Sequence, residues 1–183
     1  MKSTIILALA FAASTVATEK KVNVSESKVT WVGHKVTGKH DGTLKLQEGT
    51  LQFDDKNNLT GGTFTVDMST LTVTDLEGDS KGKLEGHLKS DDFFSTSSHK
   101  TSTFVITKVD GKAGNYKVTG DLTIKGITNP ITFNMNVKDN TATANLKVDR
   151  TKYDIKYGSA SSFDGLKDKA IYDEFDLNVN LKF

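Results

Sequence analysis

The stretch Gly120 to Phe133, GDLTIKGITNPITF, leaves this chain few folds to choose from. Leu122 and Ile124 point to one side of an extended segment while Thr123 and Lys125 point to the other, because successive side chains of a strand face opposite ways. Gly126 breaks the run. Pro130, the only proline in the chain, is expected to fix φ at the start of a second run, in which Ile131, Phe133, Met135 and Val137 alternate with polar residues. Two amphipathic strands joined by one turn, each with a dry and a wet side, predict an antiparallel sheet.

The same pattern recurs along the chain. Val22 and Val24 begin a strand, Ser25 to Ser27 turn it, and Val29 to Val36 follow. The inward face of that second run stays open, because Val29, Trp31 and Gly33 share one parity while Thr30, Val32, His34 and Val36 share the other. Gly38 to Gly42 reads as a turn by composition. Beyond it, Leu44 and Leu46 have one parity and Leu51 and Phe53 the opposite one, so a β-bulge is expected near Gly49. Asp54 to Gly62 form the next turn, after which Phe64, Val66 and Met68 alternate. Between Thr74 and Lys100 the rhythm fails, and Leu84 and Leu88, four apart, predict one short helix ahead of Phe93 and Phe94. Strands resume at Phe104 and Ile106, from Tyr116 to Ile124 after a hairpin turn at Gly111 to Asn115, from Ile131 to Val137, and from Ala142 to Val148. Ser159 to Lys169 are polar, with a helical turn expected around Phe163 and Leu166, and the chain closes on an alternating strand from Ile171 to Phe183. The prediction is an all-β fold, an antiparallel barrel or sandwich of about eight strands with one or two short helices.

Composition narrows the function classes. With Lys+Arg 24 against Asp+Glu 23, nothing in the charge balance steers nucleic acid. The absence of cysteine excludes a disulfide framework and a lipid attached through Cys. Residues 1–17 read as a secretory signal peptide, with Lys2 ahead of an apolar stretch from Ile5 to Ala13 and small residues after it. One domain, residues 18–183, would then work in the periplasm or outside the cell.

Large apolar residues share the inward faces: Phe53, Phe64, Met68, Phe104, Leu122, Ile124, Phe133, Met135 and Phe175. They fit an apolar lumen able to hold one small ligand, and they fit a filled core equally well. Phe93 and Phe94 either line such a lumen or pack as ordinary core. The four histidines, His34, His40, His87 and His99, lack HxH or HxxxH spacing and any Cys, so solvated or hydrogen-bonded loop roles are favoured over metal binding with Asp41, Asp91 or Asp92. Ser80 and Lys83 match S-x-x-K by chance, and Asp149 and Arg150 are read as ion-pairing at a strand end. His87 with Asp91 and Asp92 is the one polar group beside bulky apolar residues that fits a pore mouth and a ligand head group, although helix capping and loop anchoring are the preferred role. No nucleophile and base come together, so neither an enzyme nor a cofactor or metal is expected.

Read together, the stretches WVGHKVTGKHDGTLKLQEGTLQF (31–53), GTFTVDMSTL (62–71), LEGHLKSDDFF (84–94), Thr103 to Val105, GDLTIKGITNPITF (120–133), DRTKYDIKYGS (149–159) and Ile171 to Phe183 make the chain resemble the YceI-like family of periplasmic lipid-binding, or polyisoprenoid-binding, proteins. HLKSDDFF followed by GDLTIKGITNPITF is the specific part, and the chain departs from the family pattern in lacking a proline just before Thr103. The resemblance implies a lipocalin-like eight-stranded barrel whose apolar pore holds an isoprenoid or fatty-acyl chain. It places Trp31, Phe53, Phe64, Met68, Leu88, Phe93, Phe94, Phe104, Leu122, Ile124, Phe133, Met135 and Phe175 at the ligand. The partner is then a small lipid, with a homodimer left open. The alternatives are an integral outer-membrane barrel, suggested by the alternating C-terminal strand, and an enzyme using the same pocket. The signal-peptide reading predicts an exported chain that begins near Thr18, and N-terminal sequencing that finds Met1 on the exported protein would refute it.

Overall fold

A computed structural model describes residues 17–183, so residues 1–16 of the expected signal peptide lie outside the described residues. The strands are β1 (Thr18–Lys21), β2 (Lys28–Lys35), β3 (Gly38–Phe53), β4 (Leu59–Val73), β5 (Thr101–Lys112), β6 (Asn115–Ile124), β7 (Ile127–Lys138), β8 (Thr141–Asp149) and β9 (Ile171–Lys182), with one helix, α1 (Gly78–Lys89), between β4 and β5. All neighbours are antiparallel, and the order β3-β2-β9-β8-β7-β6-β5-β4 returns to β3 through the β3–β4 ladder. The sheet is a closed eight-stranded barrel. β1 adds no wall of its own: it pairs with Thr50 to Phe53 of β3, beyond the Gly38 to Leu44 stretch that pairs with β2.

Closure needs the long strands to bend, and bulges do the bending. The β3–β4 register shifts between Leu46 and Glu48, close to the expected position at Gly49, so Leu44 and Leu46 face in from one parity and Leu51 and Phe53 from the other. A further shift falls between Thr43 and Lys45. There the β4 backbone folds on itself, with Thr70 Oγ1 donating to the Asp67 carbonyl and receiving the Lys45 N–H. The parity left open in β2 resolves toward Val29 and Trp31, which are buried, while Val36 is exposed.

Several assignments shift: Val22 and Val24 follow β1 instead of forming a strand, and the turn from Asp54 ends before Leu59, where β4 begins. The β2–β3 hairpin turns at Val36 and Thr37, and Gly38 to Gly42 already belong to β3, because Gly42 is needed beneath the Trp31 ring rather than in a loop. Pro130 lies inside β7, paired with Asp121, and not at its start. That stretch of β7 has β6 on one side only, since β8 pairs with Met135 to Lys138 alone, so the missing proline N–H meets no second ladder. The turn after β6 is Lys125–Gly126, both at positive φ (51° and 73°), the two-residue hairpin whose twist suits flanking strands. The expected helical turn around Phe163 sits instead at Lys167–Lys169, with Phe163 itself exposed.

The interior divides along the barrel axis. One half is solid: Leu51, Phe53, Leu59, Ile106, Tyr116, Val118, Ala142 and Leu181 pack together, with Phe183 against Phe53 at 5.7 Å between ring centres. The Tyr116 hydroxyl accepts the Leu59 N–H there at 3.2 Å, so neither of these two polar groups is stranded in that core. At the other half α1 and the loop after it cover the barrel, with Leu84 and Leu88 packed on Trp31, Met68, Leu71 and Val73, and Phe93 on Leu122 and Ile124. Glu85 ties the helix down by accepting the Val73 N–H at 2.8 Å.

Gly42 tests this packing. A Cβ there would stand 1.8 Å from the Thr72 carbonyl oxygen and 2.5 Å from Trp31 Cζ2, whereas one at Gly82 on α1 meets nothing within 4 Å. Gly42→Ala is expected to cost about 2 kcal/mol or more in urea denaturation. Gly82→Ala should instead add about 0.5–1 kcal/mol, through the alanine preference of a helix interior.

Candidate functional site

Between the solid half and the α1 cap lies a cavity of about 420 Å³. That is within the range of small-molecule pockets. Every barrel strand from β2 to β9 contributes to its wall, because each directs one parity inward: Val29 and Trp31 from β2, Leu44 and Leu46 from β3, Phe64, Val66 and Met68 from β4, Phe104 from β5, Leu122 and Ile124 from β6, Ile131, Phe133 and Met135 from β7, Leu146 from β8, and Phe175, Leu177 and Val179 from β9. Leu84, Leu88, Phe93 and Phe94 come down from the cap. Aromatic rings line the wall in contact, Phe104 with Phe133 at 5.3 Å and Phe64 with Phe104 at 6.3 Å between centres. Gly120 keeps this wall smooth, since a Cβ at that position would overlap the Phe104 ring at 2.4 Å.

Of the residues that the sequence placed at the ligand, all but Phe53 stand in this wall. Phe53 is 1% exposed in the solid half, beyond the bulge in β3, and its ring serves Phe183 and Lys20. Ile131 joins Leu122, Ile124, Phe133 and Met135 inside, as the alternation of that hairpin predicts, whereas sequence reasoning missed Leu146 and Leu177, although their parity matched that of their neighbours. It also missed Arg150, whose position just after a strand end carries no apolar signal.

The outer face is polar. Thr119 and Thr132, Thr123 and Thr128, and Thr50 and Thr63 meet across neighbouring strands through their hydroxyls at 2.8, 2.8 and 3.1 Å. A barrel set in a bilayer needs the reverse, apolar side chains outward and polar ones inward. No helix among the described residues is long and apolar enough to cross a membrane.

Polar groups reach the cavity at the α1 end, and most are already satisfied. The buried Arg150, 3% exposed, donates Nε to the Tyr172 carbonyl at 3.0 Å, Nη1 to Ile155 at 2.8 Å and Nη2 to Ile171 at 3.0 Å. Its guanidinium also faces the Phe93 ring at 5.7 Å and Asp173 at 3.8 Å. Burial draws its pKa below the usual arginine value against the opposing pull of Asp173 and Asp149. The sequence predicts ion pairing for Asp149 and Arg150 at a strand end, and Arg150 finds it in Asp173. Asp149 instead caps the following 3-10 turn, Arg150–Tyr153, by accepting the Thr151 N–H at 3.0 Å. His34 bonds Asp176 at 2.7 Å and His40 bonds Asp75 at 2.8 Å, so these two histidines are engaged with carboxylates on neighbouring elements. No cluster of metal-ligating side chains occurs among the described residues.

The group His87, Asp91 and Asp92 splits in two. Asp91 anchors the loop by accepting the Ser95 hydroxyl at 2.5 Å, and the His87 carbonyl caps the helix end by accepting from Ser90. The His87 ring itself lines the cavity, edge-on to Phe93 at 5.1 Å and Tyr157 at 4.5 Å. Its Nε2, like Trp31 Nε1 and the Tyr153 hydroxyl, is buried without a hydrogen-bond partner in the protein. Such an atom costs about 1–3 kcal/mol each time it is left unpaired. Burial pushes the Tyr153 phenol up to about 12, with Asp149 adding to the shift, so that group stays neutral.

A family model, the YceI-like domain, matches residues 21–183. Protein YceI of Escherichia coli O157:H7 is 34% identical over 92 residues, which are 50% of this chain and 45% of that protein. The matched segment thus spans under half the length of that relative. Among solved structures, Burkholderia cenocepacia BcnA superposes with a TM-score of 0.69 at 22% identity, covering 87% of this chain and 98% of that one. A polyisoprenoid binding domain from Saccharophagus degradans, implicated in plant cell wall breakdown, superposes at 0.58 with 14% identity, covering 92% and 97%.

The Arg150 arrangement yields a stability test. Replacing it with Met leaves one buried and two partly buried carbonyls without this donor, and the expected loss in urea denaturation is about 3–5 kcal/mol. Arg150→Lys should fail to rescue, since one ammonium cannot span the fork that reaches Ile155, Ile171 and Tyr172. Tyr153→Phe removes only an unpaired hydroxyl and should be neutral or mildly stabilising in the same assay.

Proposed function

Because the chain belongs to the YceI-like domain family, we propose that it binds an apolar isoprenoid or fatty-acyl chain in the barrel lumen and carries or sequesters it across an aqueous compartment. The observation that carries this reading is the one-ended cavity of about 420 Å³, walled by aromatic and aliphatic side chains inside an outwardly polar barrel. An apolar cavity of this kind does not hold water well, so an apolar guest meets little competition. Burial contributes about 0.8 kcal/mol per methylene. About ten buried methylenes would therefore supply about 8 kcal/mol before the cost of association, which supports a carrier without requiring polar contacts along the chain. The thirteen side chains that the sequence placed at the ligand, less Phe53, are proposed as its contacts. The satisfied state of Arg150, His34 and His40 favours binding over catalysis, since none is poised with a neighbouring nucleophile. Residues 1–17 are proposed as the export signal, which would place the barrel in the periplasm or outside the cell.

Native mass spectrometry of the gently extracted protein is expected to show a bound lipid, or uptake of one when isoprenoids and fatty acids are offered. Phe133→Asp should abolish that binding, because an ionised carboxylate in an apolar wall lacks a partner and costs about several kcal/mol. Circular dichroism checks that the variant still folds. A folded wild-type protein that carries no lipid and accepts none overturns the carrier reading.

A further inference from the structure

We propose that the α1 end of the cavity is a subsite for the head of an amphiphile, an uncharged oxygen acceptor such as a carbonyl or hydroxyl, held by the His87 imidazole. The inference rests on the carrier reading and adds to it an orientation and a head-group class. Orientation follows from asymmetry: the far end of the cavity is closed by Leu46, Met135, Ala144 and Leu181, whereas His87, Arg150, Tyr157 and Tyr172 all belong to the capped end. A chain with one polar terminus enters tail first and leaves that terminus beneath α1.

His87 is singled out by the state of its neighbours. His34, His40 and Arg150 have protein partners for the nitrogens that matter, at 2.7 to 3.0 Å. His87 Nε2 has none, although it is buried, and its ring is held in place by Phe93 and Tyr157. Trp31 Nε1, in the wall of the same cavity and also without a partner, can only donate. The His87 ring donates as well when Nε2 carries its proton, so the matching ligand atom is an acceptor. Charge argues against an anion there. The one buried cation among the described residues, Arg150, already has Asp173 at 3.8 Å and spends its donors on backbone carbonyls, while Lys125 turns its ammonium to the Asp91 and Asp154 carbonyls. Lys35, exposed and in the same lining as Glu174, is the cation that a charged head would have to use, and the diphosphate arm of the titration below reads that case.

Trp31 is the only tryptophan in the chain and lines the cavity, so its emission reports occupancy directly. Wild type, His87→Phe and His87→Gln are titrated with a prenyl alcohol, with the hydrocarbon of the same chain length, and with the corresponding prenyl diphosphate. His87→Phe keeps an aromatic ring against Phe93 and Tyr157, and thermal melts of the free variants check folding. His87→Phe is expected to weaken the alcohol about tenfold, the loss of roughly one hydrogen bond, while the hydrocarbon is unaffected. His87→Gln, whose amide nitrogen can donate from a similar place, should restore most of the loss. Equal loss for alcohol and hydrocarbon, or no loss for either, overturns the head subsite and leaves the carrier reading intact. A diphosphate that binds tightest and depends on His87 overturns the uncharged class. Failure of wild type to bind any of the three overturns both the subsite and the carrier reading.

Discussion

The barrel depends on one strand that has to be in two places. β3 pairs with β2 from Gly38 to Leu44 and with β1 from Thr50 to Phe53, and lies against β4 from Gly42 to Phe53. A straight strand of this length would run off the curved wall. The register shifts at Thr43/Lys45 and Leu46/Glu48 let it coil, and each inserted residue exchanges which parity faces in. Closure of the sheet through the β3–β4 ladder and the division of the interior follow from that bend.

That division sets what the interior can do. Beyond the bulge the inward positions are Leu51, Phe53, Leu59 and Phe183, which meet one another and leave no space. Before it they are Leu44, Leu46, Trp31 and Met68, whose side chains lean on the wall and on α1 instead of meeting at the axis. Gly42 and Gly120 take part in this, since each yields its own volume to a ring from the adjacent strand, Trp31 and Phe104. The rings are thereby flattened along the wall. A lumen survives because the large side chains are laid sideways, not because the residues are small.

Much of this was legible from alternation alone. Tyr116, Val118, Gly120, Leu122 and Ile124 are all buried, as unbroken parity in β6 requires, and the bulge in β3 announced itself by the exchange of parity between Leu46 and Leu51. α1 was visible in the spacing of Leu84 and Leu88. Turns fared worse. GKHDG looks like a turn because glycine and aspartate favour turns, yet Gly42 is glycine for the sake of Trp31, a contact from another strand that local composition does not carry. Pro130 misled in the same way. A proline marks a strand end only where the strand on its N–H side is there to demand that donor, and β8 has left β7 by that point.

The place where β8 leaves β7 also explains why Arg150 is where it is. Ile127 to Asn134 of β7 pair only with β6, and Asn145 to Asp149 of β8 pair only with β9, so the wall is without a ladder over the cavity half. The 3-10 turn Arg150–Tyr153 folds back across that seam, and Asn129 Nδ2 donates to the Lys152 carbonyl at 2.9 Å to join the two sides. The turn then has to be held from within, because no strand holds it from the side. Arg150 does so by binding the backbone of Ile155, Ile171 and Tyr172 at once, with Tyr153 and Ile155 filling the space beneath. A guanidinium is the side chain whose fixed fork reaches three carbonyls of two different segments. Its charge is thereby consumed in closing the seam, which is why a cation beside the lumen leaves that lumen apolar.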